Sequence, residues 1–134
     1  MRPSFRACYS VISPEVARLL RVARRDLKMA RRLVDPDVEE ASWGWATQQC
    51  LEKTLKAWLH AVGTKPPQTH DLARLLLLLQ EAGVDITELL PLRAFSTFAV
   101  QCRYDDEPDE LGLDRTAWCT QAEALIEQVE AQFG

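Results

Sequence analysis

The polar residues best suited to chemistry interrupt an otherwise apolar segment. Gln49, Glu52, Lys53 and Lys56 recur at spacings of three and four residues, which places them on one face of a helix. One interpretation is a solvated face with an intrahelical Glu52–Lys56 pair that contributes about 0.2–0.5 kcal/mol. The other is a polar groove in which the lysine ammonium groups meet a phosphate. The spacing alone leaves both interpretations open.

A second polar motif, Thr69-His70-Asp71-Leu72, has the composition of a helix start. Thr69 is expected to cap the free backbone amides, and a carboxylate at Asp71 is favoured by the helix dipole. Backbone amides at a helix start also attract anions. His70 is therefore a candidate phosphate-binding residue, and Asp71 together with Glu52 is a candidate for orienting it.

Arg103 and Tyr104 stand immediately before the acidic segment 105–110. Arg103 either pairs with these carboxylates at the surface or contacts a phosphate as a fixed cation. Tyr104 is a candidate for stacking on a base or for carrying a modifiable hydroxyl. The acidic segment itself, with Pro108 inside it, is predicted to be an exposed loop.

Basic side chains are concentrated near the start of the chain. Residues 1–32 carry nine Arg or Lys side chains against two carboxylates, although the net charge of the chain is −4. Six of them recur at helical spacing on the first predicted helix: Arg21, Arg24, Arg25, Lys28, Arg31 and Arg32. We favour a stripe that faces the chain's own acidic residues over an RNA-binding tract, because aromatic stacking residues are missing nearby.

No metal and no cofactor is expected from the spacing of the soft ligands. These ligands are His60, His70, Cys8, Cys50, Cys102 and Cys119. None of them has the spacing of a zinc finger or of an HExxH helix, and the cysteines are predicted to be free thiols. The chain also has no Gly-rich phosphate loop and no GxSxG motif.

Helical periodicity predicts the elements that must position these residues. Five helices are expected: from the cap Ser13 to Asp35-Pro36, from about Val38 to Val62 before Gly63, from Thr69 to Gly83, from about Thr87 through Pro91 to Cys102, and from the cap Asp114 to Phe133. Strand and hairpin signals are poor. The predicted fold is all-α, a five-helix up-and-down bundle.

The length of 134 residues fits one domain over residues 1–134. The longest apolar run, Leu75 to Leu79, is far shorter than a membrane span, and no signal peptide is apparent, so a cytoplasmic protein is expected. Trp43 and Trp45 stand beside the main apolar stripe of the second helix. They are expected to form a second apolar face that is exposed in a monomer and covered in a homodimer.

The order of these motifs resembles the HEPN family, the nucleotide-binding domain of higher eukaryotes and prokaryotes, from about residue 15 to the end. The resemblance rests on Asp26-Leu27 with Ala30, on Ala46-xx-Gln49-xx-Glu52-Lys53-xx-Lys56-Ala57, on Thr69-His70-Asp71-Leu72-xx-Leu75-Leu76, and on Arg103-Tyr104. It implies a five-helix bundle, a homodimer, and pairing with a small nucleotidyltransferase as a toxin–antitoxin-type module. Many members of the family are metal-independent ribonucleases.

The chain departs from the ribonuclease members at one motif. Those members carry an Arg followed four to six residues later by His. Residues 104–110 after Arg103 contain no His, and no Arg stands at the required distance before His60 or His70. Cleavage without metal needs a base with a pKa near neutral and a cation beside the phosphate. Arg103 can supply the cation, but its expected base is missing.

We therefore expect a HEPN-type nucleotide-binding or partner protein, one half of a HEPN–nucleotidyltransferase pair. The expected phosphate-facing residues are Lys53, Lys56, His70 and Arg103, with Tyr104 beside them and with Glu52 and Asp71 orienting them. The alternative is a metal-independent ribonuclease toxin that uses Arg103 and His70. A structural adaptor, whose polar residues only satisfy the bundle, is the third possibility, so the sequence does not decide whether the protein is an enzyme.

Overall fold

A computed structural model of the chain describes residues 13–106 and 108–133, including all of their side chains except those of residues 101–103. The elements are α1 (Pro14–Arg32), α2 (Glu40–Ala61), α3 (Leu72–Glu81), the 3₁₀ helix η1 (Thr87–Phe95), α4 (Ser96–Tyr104) and α5 (Arg115–Phe133). The described ranges contain no strand, so the all-α prediction is confirmed. No helix within these ranges is long and apolar enough to cross a membrane.

The first helix begins as predicted. The Ser13 hydroxyl accepts a hydrogen bond from the Val16 amide at 3.2 Å, and Pro14 takes the first helical position, where its missing N–H costs nothing. The apolar stripe of α1 is buried: Val16, Leu19, Leu20, Ala23, Leu27 and Ala30. This stripe packs α1 along α2 and α5.

Helix α2 is the central element and packs against α1, α3, η1, α4 and α5. A helix surrounded in this way needs apolar or internally bonded polar residues on nearly every face, and α2 has both. It ends as predicted at Gly63, whose φ of +87° is a conformation that favours glycine. The Thr64 amide donates to the Leu59 carbonyl at 2.9 Å, which closes the helix end.

The start of α3 differs from the prediction. Asp71, not Thr69, is the capping residue, and its carboxylate accepts from the Ala73 amide at 3.0 Å. The Thr69 hydroxyl instead accepts from the Asp71 amide at 3.1 Å and closes the turn before the helix. An ionised oxygen makes the stronger bond to a backbone amide, and it also meets the positive end of the helix dipole.

The fourth predicted helix is two elements rather than one. Residues Thr87–Phe95 form the 3₁₀ helix η1, and the α-helix begins only at Ser96. Pro91 lies in the middle of η1. In an α-helix its ring would clash with the carbonyl of residue 87, and its missing N–H would break the bond to that carbonyl. The chain therefore keeps the tighter 3₁₀ conformation through Pro91 and becomes α-helical only at Ser96.

The loop between α4 and α5 is anchored to the rest of the bundle at two points. The buried Glu40 carboxylate accepts from the Leu111 amide at 2.6 Å and from the Leu113 amide at 3.0 Å. Arg115, the first residue of α5, donates to the Leu33 carbonyl at 2.9 Å, at the end of α1. Asp114 caps α5 as predicted, accepting from the Ala117 amide at 3.0 Å.

Trp43 is completely buried, so the prediction that it lies on an exposed apolar face is wrong. Its ring packs edge-on against Phe95 and Phe98, with centroid separations of 5.6 Å and 6.3 Å. These partners come from η1 and α4, and the spacing of α2 alone does not indicate which helix covers Trp43. Trp45 is only half-buried.

The neighbouring residue Gly44 explains how α4 comes so close to α2. A Cβ atom at position 44 would lie only 2.3 Å from Cδ1 of the Phe98 ring. Only a glycine therefore allows the Phe98 ring to lie directly on the α2 backbone. The close contact seals the aromatic part of the core around Trp43.

In Gly44→Ala the new methyl group overpacks the contact with Phe98, which costs about 1–3 kcal/mol. Alanine gains roughly 1 kcal/mol over glycine inside a helix, so we expect a net destabilisation of up to about 2 kcal/mol. Urea unfolding followed by circular dichroism measures the difference. Phe98→Leu is the second change of a double-mutant cycle, and strictly additive effects would contradict the contact.

Candidate polar network and groove at His70

The candidate site is built around the carboxylate of Glu52, in the middle of α2. The Glu52 side chain is only 1% exposed, yet both of its oxygens are hydrogen-bonded. Lys56 Nζ lies 2.9 Å from Oε2, while His70 Nδ1 and Gln48 Nε2 lie 2.8 Å and 3.1 Å from Oε1. A buried carboxylate is tolerated when it is surrounded by donors in this way.

The other polar residues of α2 extend this network along the helix. Lys53 Nζ donates to Gln49 Oε1 at 2.8 Å, and Gln49 Nε2 donates to Gln48 Oε1 at 2.7 Å. Gln48 Nε2 also donates to the backbone carbonyl of His70 at 3.0 Å. The predicted helical spacing of these residues is therefore found, but most of this face is internal to the bundle, with Gln48 and Glu52 fully buried.

Burial by itself raises the pKa of Glu52. The hydrogen bonds from Lys56 and His70, and the nearby charge of Lys53, act in the opposite direction and leave the pKa below its ordinary value. Glu52 is therefore ionised at neutral pH. The ammonium groups of Lys53 and Lys56 are bonded within this network, and a direct contact between either lysine and a phosphate stays a prediction.

His70 connects the network to solvent. Its Nδ1 is held by Glu52, while its side chain is 58% exposed. A carboxylate can only accept, so the proton lies on Nδ1, and Nε2 is left to exchange a proton or contact a ligand. Glu52 thus holds the His70 ring through Nδ1. Asp71 caps α3 instead, and no hydrogen bond joins its side chain to the imidazole.

His70 lines an open groove of about 700 Å³ between the start of α3 and α4. The lining residues are Gln68, Thr69, His70, Asp71, Ser96, Thr97 and Val100. The Ser96 hydroxyl accepts from the Leu72 amide at 3.0 Å, which fixes the two walls relative to each other. The groove therefore has hydroxyl groups, an imidazole, a carboxylate and one apolar side chain.

The predicted residues Arg103 and Tyr104 lie near the end of α4, the helix that forms one wall of the groove. Arg103 follows Val100 by three residues, which is about 4.5 Å along a helix and on the same face. The side chain of Arg103 lies outside the described residues, as do Cys8 and the side chain of Cys102. The Tyr104 side chain is 81% exposed. The backbone thus places both residues one turn beyond the groove lining.

Two residues of the site were not identified from the sequence. One is Gln48, which stands four residues before Glu52 and donates a hydrogen bond to it. Asp26, on α1, is half-buried. Burial raises its pKa, the charges of Lys53 and Arg25 lower it, and Glu52 raises it further. The sequence contains one indication of its importance, since Asp26 is the only carboxylate between Arg18 and Arg32.

We expect Glu52→Gln to destabilise the protein by about 3 kcal/mol at neutral pH, because it leaves Lys56 partly buried without its counter-ion. The lowered pKa of Glu52 means that the unfolded chain takes up the proton first, so the wild type loses stability as the pH falls through that folded pKa. The difference between the two proteins should therefore shrink below about pH 4.5, the ordinary value.

Urea unfolding of both proteins between neutral and acidic pH measures this difference. Asp26, whose raised pKa contributes with the opposite sign, is present in both proteins, so the comparison removes its contribution except for the part that Glu52 causes. The matched control is Glu127→Gln on the exposed face of α5, where we expect a change within about 0.5 kcal/mol. A gap between Glu52→Gln and the wild type that stays constant down to low pH would contradict the assignment.

Comparison with known proteins identifies the family of the chain. A sequence profile for the HEPN domain matches residues 16–132. No curated protein and no solved structure matches the chain. The matched range includes the α2 network, the His70 motif and Arg103-Tyr104, which are the residues that carried the resemblance. The chain therefore belongs to the HEPN family of nucleotide-binding domains.

Proposed function

We propose that the groove beside His70 binds the phosphate of a nucleotide. The observation that carries this proposal is the pairing of a buried, ionised Glu52 with a half-exposed His70 at the groove edge. Glu52 fixes the ring and compensates a positive charge on it when it takes up a proton. In that form Nε2 donates a charge-assisted hydrogen bond to a phosphate oxygen.

Arg103 and Tyr104 complete the proposed site from the α4 wall. Arg103 provides a fixed positive charge for the phosphate, and Tyr104 provides a surface for the base. Lys53 and Lys56 contribute their positive potential and hold Glu52 in place. Asp71 supports the site by starting α3 at the groove.

The expected partners follow from membership of the family. We propose a cytoplasmic homodimer of one-domain chains, each residues 1–134, that pairs with a small nucleotidyltransferase as a toxin–antitoxin-type module. The exposed apolar side chains of Leu77 on α3 and of Val100 on α4 support partner contacts on these helices, because large exposed apolar side chains favour association.

Calorimetry with ATP and other nucleotides tests the binding site. We expect His70→Ala and Arg103→Ala each to weaken binding about 10- to 100-fold, because each removes a charge-assisted hydrogen bond worth about 1.5–3 kcal/mol. His60→Ala and Arg93→Ala are matched controls, since both residues lie outside the groove lining, and they should bind as the wild type does. Equal affinities for all five proteins would exclude this site.

One observation favours the ribonuclease as a second candidate function. A histidine oriented by a carboxylate, as His70 is by Glu52, is an arrangement that suits general base catalysis. Two features oppose it, namely the absence of a histidine in the seven residues after Arg103 and the carboxylates Asp105 and Asp106 next to it, which repel an RNA backbone. We therefore propose the binding function first.

We expect the purified protein to show little ribonuclease activity in the presence of a chelator. The histidine expected after Arg103 is absent, and the loss of a correctly placed general base removes about 10²–10⁴-fold in rate. Incubation with transfer RNA, beside His70→Ala and Arg103→Ala, measures this activity. Robust cleavage by the wild type that both variants abolish would establish the ribonuclease and contradict our expectation. Cleavage that neither variant affects would indicate a contaminating nuclease and leave the chain itself inactive.

A further inference from the structure

The outward face of α1 carries four basic side chains in one row. Arg21, Arg25, Lys28 and Arg32 follow each other at intervals of four, three and four residues, and all are exposed. They lie opposite the buried stripe of the helix and extend over about 16 Å along its axis. We call this row the outer basic stripe.

The other basic residues of α1 are neutralised by carboxylates of the chain. Arg24 pairs with Glu130 at 2.6 Å, Arg31 pairs with Glu123, and Arg18 pairs with Glu15 at 2.7 Å. The expectation that the basic stripe faces the chain's own acidic residues therefore holds for only part of it.

The outer basic stripe has no such compensation among the described residues. None of its four side chains makes an ion pair or a hydrogen bond with the part of the chain that the structure describes. Arg25 acts on the half-buried Asp26 only through its charge, against the burial that raises the Asp26 pKa, and no ion pair joins the two residues. Residues 1–12 contain no Asp or Glu, so their side chains do not neutralise the stripe.

We propose that the outer basic stripe binds the phosphate backbone of single-stranded RNA, independently of its base sequence. A straight row of uncompensated cations matches a polyanion, and each phosphate contact releases condensed counter-ions. The remainder of the chain is strongly acidic, and its potential directs a polyanion toward this face. The proposal concerns a different surface from the His70 groove and does not depend on that groove.

The composition of the face excludes a typical protein partner. Protein interfaces have an apolar or aromatic centre and few lysines. Among the residues that the structure describes, Met29, 53% exposed, is the only large exposed apolar side chain beside the stripe. The same absence of aromatic side chains on the exposed face of α1 removes the means of stacking on bases. Binding through phosphates alone accounts for the expected lack of sequence preference.

The width of the stripe favours a single strand over a duplex. The stripe is one helix wide, and carboxylates flank it on both sides. Glu15 lies on one flank, and Glu123, Glu127 and Glu130 of α5 lie on the other, close enough to act on Arg24. A duplex presents phosphates over a much wider surface and would bring some of them against these carboxylates.

Fluorescence anisotropy with a labelled oligouridine of about 20 nucleotides tests the proposal. Four phosphate contacts predict that the affinity of the wild type falls about 50-fold between 50 and 200 mM salt. The stripe variant carries Arg21→Gln, Arg25→Gln, Lys28→Gln and Arg32→Gln. We expect it to lose most of the affinity and the salt dependence. Circular dichroism establishes that its helices are intact.

The matched control removes the same number of positive charges elsewhere, through Arg18→Gln, Lys65→Gln, Arg74→Gln and Arg93→Gln, all at exposed positions. We expect this control to keep the salt dependence of the wild type. Absence of oligouridine binding by the wild type at 50 mM salt, or equal affinities for the stripe variant and the control, would overturn the proposal.

Two further measurements distinguish single-stranded RNA from a duplex and from a second copy of the chain as the molecule that binds the stripe. Equal affinity for a duplex of the same length would overturn the assignment to a single strand. A stripe variant that changes the sedimentation mass of the protein without changing oligouridine binding would make this face an interface between copies, which would also overturn the proposal. RNA binding that persists when nucleotide calorimetry fails would support the stripe and reject the groove.

Discussion

A charge inside a helical bundle restricts where the neighbouring chain can lie. The Glu52 carboxylate is removed from water, so it must be matched by donors at fixed positions. Lys56 and Gln48 satisfy part of this need from the same helix, and His70 provides the rest from the loop before α3. The start of α3 is therefore fixed relative to α2. The groove, whose first wall is that helix start, takes its position from this one buried carboxylate.

The sequence predicted well those features that depend on neighbours three or four residues apart. The helices, their glycine ends, and the Glu52–Lys56 pair belong to this class. Contacts across the chain carry no such periodic signal. The hydrogen bond between His70 and Glu52 joins residues that are 18 apart. The aromatic rings that pack against Trp43 come from η1 and α4. The capping residue of α3 was missed for a similar reason. Asp71 rather than Thr69 caps the helix, because the loop places the Asp71 carboxylate beside the free Ala73 amide.

The basic residues of α1 form two groups that differ in whether they pair with carboxylates. On one side Arg24 and Arg31 meet Glu130 and Glu123 of α5. These pairs are exposed and contribute at most about 1 kcal/mol each, so their main effect is to set how the two helices align. On the outward side four cations have no carboxylate partner in the part of the chain that the structure describes. Composition alone could not separate the two groups, because all of these residues recur at the same helical spacing.

The 3₁₀ winding of η1 also acts as a spacer. Nine residues rise about 2.0 Å each in a 3₁₀ helix and about 1.5 Å each in an α-helix, so Thr87–Phe95 delivers α4 about 4.5 Å further along the path of the chain than a continuous α-helix would. That distance equals three residues of α4. Pro91 therefore sets the register in which Ser96 and Val100 face His70, and a chain without this proline would bring a different part of α4 to the groove.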